Sequence, residues 1–189
     1  MLISSPVMCL VSMADTSSDV YRYGYVGDAA PYNYVIIYKE RKNMKISVGC
    51  DHGALALKNK VVAHLEKQGH EVRDFGTYTL DSCDYPEFAA AAAKAVASGE
   101  CEKGIVLCTT GIGVSISANK IDGVRCALLS DPWSARMTRL HNDTNMMAMG
   151  AGVVGENLAL EIGDTWVGTE FSGDERHQRR INKLMALEK

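Results

Sequence analysis

From residue 46 onward, short apolar runs alternate with segments whose apolar residues recur every three or four positions. The runs cover 46–50, 71–75, 105–108, 124–130 and 145–149, and each reads as a strand. Between them, Leu57, Val61 and Leu65 mark one helix face, and an alanine-rich run over 88–98 follows Pro86 and ends before Gly99. A third helix begins over 114–119. A fourth is capped by Asp131, with Pro132 at its first position and Trp133, Met137 and Leu140 on one side. Leu158, Ile162 and Trp166 mark a fifth, and a last helix from about residue 175 is expected to turn Ile181, Leu184 and Met185 inward. Strands that are apolar throughout are buried on both faces, and helices between them make parallel crossovers. The chain is therefore expected to fold as an α/β protein with a five-stranded, mainly parallel sheet covered on both sides and a C-terminal helix.

The 189 residues suffice for one domain with a sizeable core. Residues 1–43 differ from the rest: they hold six of the eight tyrosines, show no helical period, and contain one possible strand over 34–38. They read as an N-terminal extension, disordered or arising from a start codon assigned too early, ahead of a working domain over 44–189. The alternative is an added docking strand or partner-binding arm. The net charge of −3 argues against general nucleic-acid binding. The N-terminus has no basic flank suited to a signal peptide, and no apolar run reaches the length of a membrane span. The six cysteines show no C-x-x-C pair, which suits reduced thiols and a cytoplasmic location.

Ligands of parallel sheets bind beyond the carboxyl ends of the strands. After the first strand stand Asp51 and His52. After the third come Cys108, Thr109, Thr110, Gly111, Ile112 and Gly113, opening directly into a helix. Unpartnered amides at such a turn favour an anion, and a thiol there is expected to have its pKa lowered. A core cysteine is the ordinary alternative, but glycines and hydroxyls fill cores poorly. One helix beyond the fourth strand lies the polar cluster His141, Asn142, Asp143, Thr144 and Asn145, and Arg176 and Arg180 share a face of the last helix. No two histidines have metal-site spacing. A thiol, two histidines, an aspartate, backbone amides and two arginines suit a phosphorylated substrate with a proton to be moved, with neither cofactor nor metal.

These residues fall in motifs: G-C-D-H at Gly49 to His52, D-Y-P at Asp84 to Pro86, C-T-T-G-I-G at Cys108 to Gly113, S-A-N-K at Ser117 to Lys120, H-N-D-T-N at His141 to Asn145 and R-H-Q-R-R at Arg176 to Arg180. In this order they resemble the type B ribose-5-phosphate isomerases, in a superfamily that includes galactose-6-phosphate isomerase subunits. The resemblance spans residue 44 to the C-terminus and implies a Rossmann-like α/β/α sandwich. It also implies a homodimer, possibly a dimer of dimers, with the site shared across the interface. By the same resemblance, Cys108 is the base that moves a proton between C1 and C2, with Thr110 beside it. The amides of residues 109–113 would hold the enediolate, and His141 would open the furanose ring. Asn142, Asp51 and Tyr85 would contact the sugar, while His52, Arg176 and Arg180 would hold the phosphate.

Thr109 departs from the family, where glycine is common; a threonine needs more room and disfavours positive φ. The motifs do not distinguish pentose from hexose substrates, so galactose 6-phosphate and allose 6-phosphate remain rivals to ribose 5-phosphate. A non-catalytic sugar-phosphate binder is a further alternative, though it would need neither Cys108 nor His141. An NAD-linked enzyme is disfavoured, because the third glycine and acidic partner of the dinucleotide fingerprint are missing.

Overall fold

The computed structural model describes residues 21–24, 36–39 and 43–188. The chain divides into two compact units, 1–42 and 43–189. In the first, strands β1 (Tyr21–Gly24) and β2 (Ile36–Lys39) pair antiparallel, Tyr21 opposite Lys39. The expected strand over 34–38 overlaps β2; β1 was not anticipated. The two readings of residues 1–43, appended segment or docking arm, concern residues that lie mostly outside those described.

The second unit runs β3 (Lys45–Cys50), α1 (Leu55–Lys67), β4 (Glu71–Asp74), α2 (Tyr85–Ala97), β5 (Lys103–Cys108), α3 (Ile112–Ala118), β6 (Cys126–Leu128), α4 (Pro132–Asn142), β7 (Met146–Gly150), α5 (Glu156–Gly168) and α6 (Glu175–Met185). The sheet order is β4-β3-β5-β7-β6, and every neighbouring pair is parallel. From β3 the chain first moves outward to β4, then crosses back to β5 on the other side. That reversal opens a crevice at the carboxyl ends of β3 and β5.

Strand alternation divides the core between the two faces. Ile46, Val48, Cys50, Ile105, Leu107, Met147 and Met149 pack with α1, α5 and Ala135 of α4. Val106, Cys108, Met146 and Ala148 pack with α2 and α3. The alanines of α2 (Ala89, Ala92, Ala93) bring that helix close enough for Ser47 Oγ to donate to Ala92 O at 3.0 Å. Two expectations about helix faces need correction. The buried residues of α4 are Ala135 and Arg139, while Trp133 is exposed. In α6 the buried residues are His177 and Ile181, and Leu184 is exposed. Both helices lie outside the sheet layer, so a narrower stripe suffices to seat them.

Beside the crevice a charge is buried. Lys58 of α1 is 1% exposed, with Nζ 2.6 Å from Asp74 Oδ2 and 3.1 Å from the Thr77 carbonyl. Asp74 Oδ1 in turn accepts from the Gly76 amide at 2.8 Å. Removing one partner of a buried ion pair strands the other charge. Asp74→Ala is therefore expected to cost about 2–3 kcal/mol in urea denaturation, discounted because Asp74 remains partly solvated. Lys58→Met, which removes the charge itself, should cost less. Equal stability of Asp74→Ala and wild type would contradict this account.

Candidate active site

At the carboxyl edge of the sheet, Cys50 stands opposite Leu107 and Cys108 opposite Gly150. The Asp51 amide continues the ladder, donating to Leu107 O at 3.2 Å. Asp51, the turn after Cys108 and the chain after Gly150 therefore meet at one level. The turn is pinned from below: the Ala151 and Gly152 amides donate to the carbonyls of Cys108 and Thr109, each at 2.9 Å. A Cβ on Gly150 would lie 2.5 Å from the Thr110 carbonyl carbon, so only glycine admits the turn there. Gly111 has φ +76° and caps α3, and a Cβ on it would lie 2.7 Å from the carbonyl carbon of Met149.

This path turns the Gly111 N–H onto Cys108 Sγ, at 3.0 Å, with sulfur as acceptor. Thr110 Oγ1 is 3.9 Å from the same sulfur and accepts from the Ile112 amide at 3.3 Å. Two of the amides assigned to an oxyanion in residues 109–113 are thus engaged within the turn. Cys108 is 5% exposed. Thr109 does not need a positive φ: among the described residues only Asp143 combines a side chain with one. Its bulk is taken up by Gly53, where a Cβ would meet Thr109 Oγ1 at 2.3 Å. The ring of Tyr85, from the start of α2, covers Gly113, where a Cβ would lie 2.6 Å from Tyr85 Cζ.

Asp51 is 7% exposed, and its Oδ1 has no hydrogen-bond partner. A buried carboxylate oxygen left unpaired is costly, and a hydroxyl-bearing ligand would satisfy it. His52 follows in a short 3-10 turn (His52–Ala54), its Nδ1 accepting from the Cys83 amide at 3.3 Å. Burial holds three further thiols of the chain in the protonated form. Burial pushes Cys50 up to about 11 and Cys126 up to about 12, and raises Cys101 as well.

The remaining candidates lie elsewhere. Helix α4 runs back against the strands, so its end reaches the amino edge of the sheet, where Cys126 pairs with Met146. There Arg125 Nε donates to Asn142 O at 3.1 Å. His141 stacks on His177 of α6, with centroids 4.3 Å apart and planes 17° from parallel. Burial, followed by the charges of His141 and Arg176, holds the His177 imidazole below its usual range. Arg176 Nε is 3.0 Å from Asp174 Oδ2, and Arg176 and Arg180 are exposed on α6. From Met146 to Gly150, which faces Cys108, the strand rises about 13 Å. Within one chain, His141, Asn142, Arg176 and Arg180 therefore stand at the opposite end of the sheet from Asp51, His52 and Cys108.

The H-N-D-T-N motif also divides by role. Asp143, in the left-handed conformation with φ 44°, accepts from Arg139 Nη1 at 2.7 Å. Thr144 Oγ1 accepts from Trp166 Nε1 at 2.9 Å, and Asn145 Oδ1 accepts from the Arg125 amide at 2.7 Å. These three hold the amino edge together, and His141 and Asn142 precede them at the end of α4. His177 falls in the R-H-Q-R-R motif and drew no role of its own from the sequence, although its spacing of four from Ile181 marks it as inward-facing. Among the described residues, no three His, Cys, Asp or Glu side chains are grouped to hold a metal ion, and no helix is long and apolar enough to cross a membrane.

The family model for Ribose/Galactose Isomerase matches residues 46–184. The ribose-5-phosphate isomerase B of Escherichia coli K12 is 48% identical over 144 residues, covering 76% of this chain and 96% of its own. Galactose-6-phosphate isomerase subunit LacB of Clostridium acetobutylicum is 40% identical, covering 76% of this chain and 83% of its own. Among solved structures, Clostridium thermocellum ribose-5-phosphate isomerase B superposes with a TM-score of 0.75 at 50% identity, covering 77% of this chain and 97% of that one. The chain therefore belongs to the ribose/galactose isomerase family, as an aldose–ketose isomerase of sugar phosphates resembling the type B ribose-5-phosphate isomerases.

Proposed function

We propose that the protein interconverts ribose 5-phosphate and ribulose 5-phosphate, a step of the pentose phosphate pathway, with Cys108 as the base. The observation that carries this reading is the Cys108 sulfur, 3.0 Å from the Gly111 amide at the carboxyl edge of the sheet, in the same crevice as the unpartnered oxygen of Asp51. The Cys108 thiolate takes the C2 proton of the open-chain aldose, leaving an enediolate, and returns it to C1. The hydroxyl proton on O2 passes to O1, so aldose becomes ketose with no change in net oxidation state. Those amides of residues 109–113 not engaged within the turn stabilise the charge developing on oxygen. Asp51, Asn142 and Tyr85 bind the sugar, His141 opens the furanose, and His52, Arg176 and Arg180 hold the phosphate.

One chain does not bring these groups together, so the site is completed by a second copy that presents His141, Asn142 and the arginines to the Cys108 crevice. Apolar residues exposed on α2, α3 and α4 support such pairing: Tyr85, Ile112, Ile116 and Trp133, with Leu128 of β6. Cys50, Cys83, Cys101, Cys108 and Cys126 are all free, which suits a cytoplasmic enzyme.

An isomerisation assay over tetrose, pentose and hexose phosphates should give the highest kcat/KM for ribose 5-phosphate. The LacB relative keeps galactose 6-phosphate in the panel, and a higher value there would move the assignment to hexoses. Cys108→Ala should lower kcat by about 10²–10⁴-fold with an unchanged circular-dichroism spectrum. Full activity in that variant would remove the thiol from the mechanism. Arg176→Ala should chiefly raise KM, because it weakens phosphate grip in ground and transition states alike.

A further inference from the structure

The segment ahead of α2 has no task in the chemistry above, yet it reaches the site beside Tyr85, the first residue of that helix. Asp84 caps α2, and the Glu87 amide returns to Asp84 O at 3.3 Å, which fixes this end of the loop. From that anchor Tyr85 covers Gly113 on one side, and the Cys83 amide reaches His52 Nδ1 on the other, at 3.3 Å. A backbone N–H donates only, so the nitrogen it faces must carry a lone pair. The Cys83 sulfur is 3.7 Å from the same nitrogen. Alone, the thiol would leave the direction open, since sulfur both donates and accepts. The amide decides it, because a hydrogen on Nδ1 would collide with the amide hydrogen.

We infer that the Cys83 backbone amide is a positioning group that fixes neutral His52 as its Nε2–H tautomer, so that His52 offers an N–H donor to the substrate phosphate without being charged. The two ring nitrogens of histidine are chemically distinct, and the hydrogen bond on one selects the proton on the other. The ring has Nε2 on the side away from Cys83. A donor fixed there always faces a phosphate oxygen, whereas a neutral histidine free to exchange tautomers would present a lone pair for part of the time. The anchor of the clamp is the same helix start that seats Tyr85, so the loop sets both a phosphate donor and a wall of the crevice. The functional half of this inference rests on the reading of His52 as a phosphate ligand; the tautomer itself does not.

Two measurements on the full-length protein test it. Long-range ¹H–¹⁵N NMR of substrate-free enzyme, at a pH where His52 is neutral, should report Nδ1 as the bare nitrogen and Nε2 as the protonated one. The His52 signals are assigned by their loss in His52→Gln. Cys83→Ala, which keeps the amide, should retain this pattern, and Cys83→Pro, which lacks it, should lose it. A protonated Nδ1 in active wild-type enzyme would overturn the inference. The second measurement compares two amide substitutions: glutamine places its nitrogen near the Nε2 position, and asparagine near Nδ1. KM for ribose 5-phosphate should rise about tenfold or more in His52→Asn, the loss of one charge-assisted hydrogen bond, and clearly less in His52→Gln. Equal KM values for the two variants would overturn the donor role even if the tautomer is as stated. Wild-type enzyme inactive on ribose 5-phosphate would instead count against the substrate assignment and leave the NMR result standing. The glutamine–asparagine comparison does not depend on whether Cys83→Pro folds.

Discussion

The turn after Cys108 passes so close to Gly150 that no side chain fits between them, and the chemistry at this edge depends on that contact. A methyl group on Gly150 would meet the Thr110 carbonyl carbon at 2.5 Å. The consequence is local but far-reaching. With the turn seated on β7, the Gly111 amide is aimed at the Cys108 sulfur, and α3 begins at once at Ile112. The parallel register that pairs Cys108 with Gly150, and Cys50 with Leu107, brings Asp51 to the same level. Sheet pairing therefore does the positioning, and the site residues themselves need little flexible side chain to reach one another.

The same architecture imposes a separation. Each helix of a parallel α/β unit returns the chain to the opposite edge of the sheet, so residues at the end of a helix stand a full strand length from residues at the end of a strand. His141 ends α4, and Arg176 and Arg180 lie on α6 packed beside it. The amino edge is built solidly around them by Arg139, which donates to Asp143 Oδ1 and to the carbonyls of Thr144 and Thr169. In the proposed mechanism, a ring-opening His141 and an arginine phosphate clamp held there would serve a substrate only where another copy brings its own carboxyl edge against them. Burying the exposed Trp133 and Ile112 gives such a pairing a driving force.

Much of this was legible in the sequence, for identifiable reasons. Strands buried on both faces leave unbroken apolar runs, so β3, β5 and β7 stood out. Residues directly following a strand, such as Asp51 and the turn from Cys108 to Gly113, have their place fixed by the strand before them. What was hidden depends on direction and on partners. The cluster at His141 was read with the strand ends, although the helix before it carries it to the other edge. Lys58 and Arg139 are buried cations that a helical pattern presents as solvent-facing; only the positions of Asp74 and Asp143 explain them. The extra bulk of Thr109 was a concern until Gly53, distant in sequence, was found to make room for it.

The central claim is that catalysis needs Cys108 from one copy and His141 from another. Mixing inactive Cys108→Ala and His141→Ala enzymes under conditions that exchange subunits tests it directly. Half of the reassorted dimers contain one chain of each kind, and in each of these one of two sites has both groups intact, so about a quarter of wild-type activity should return. Activity that stays at the level of the separate variants, with subunit exchange demonstrated, would contradict the shared site.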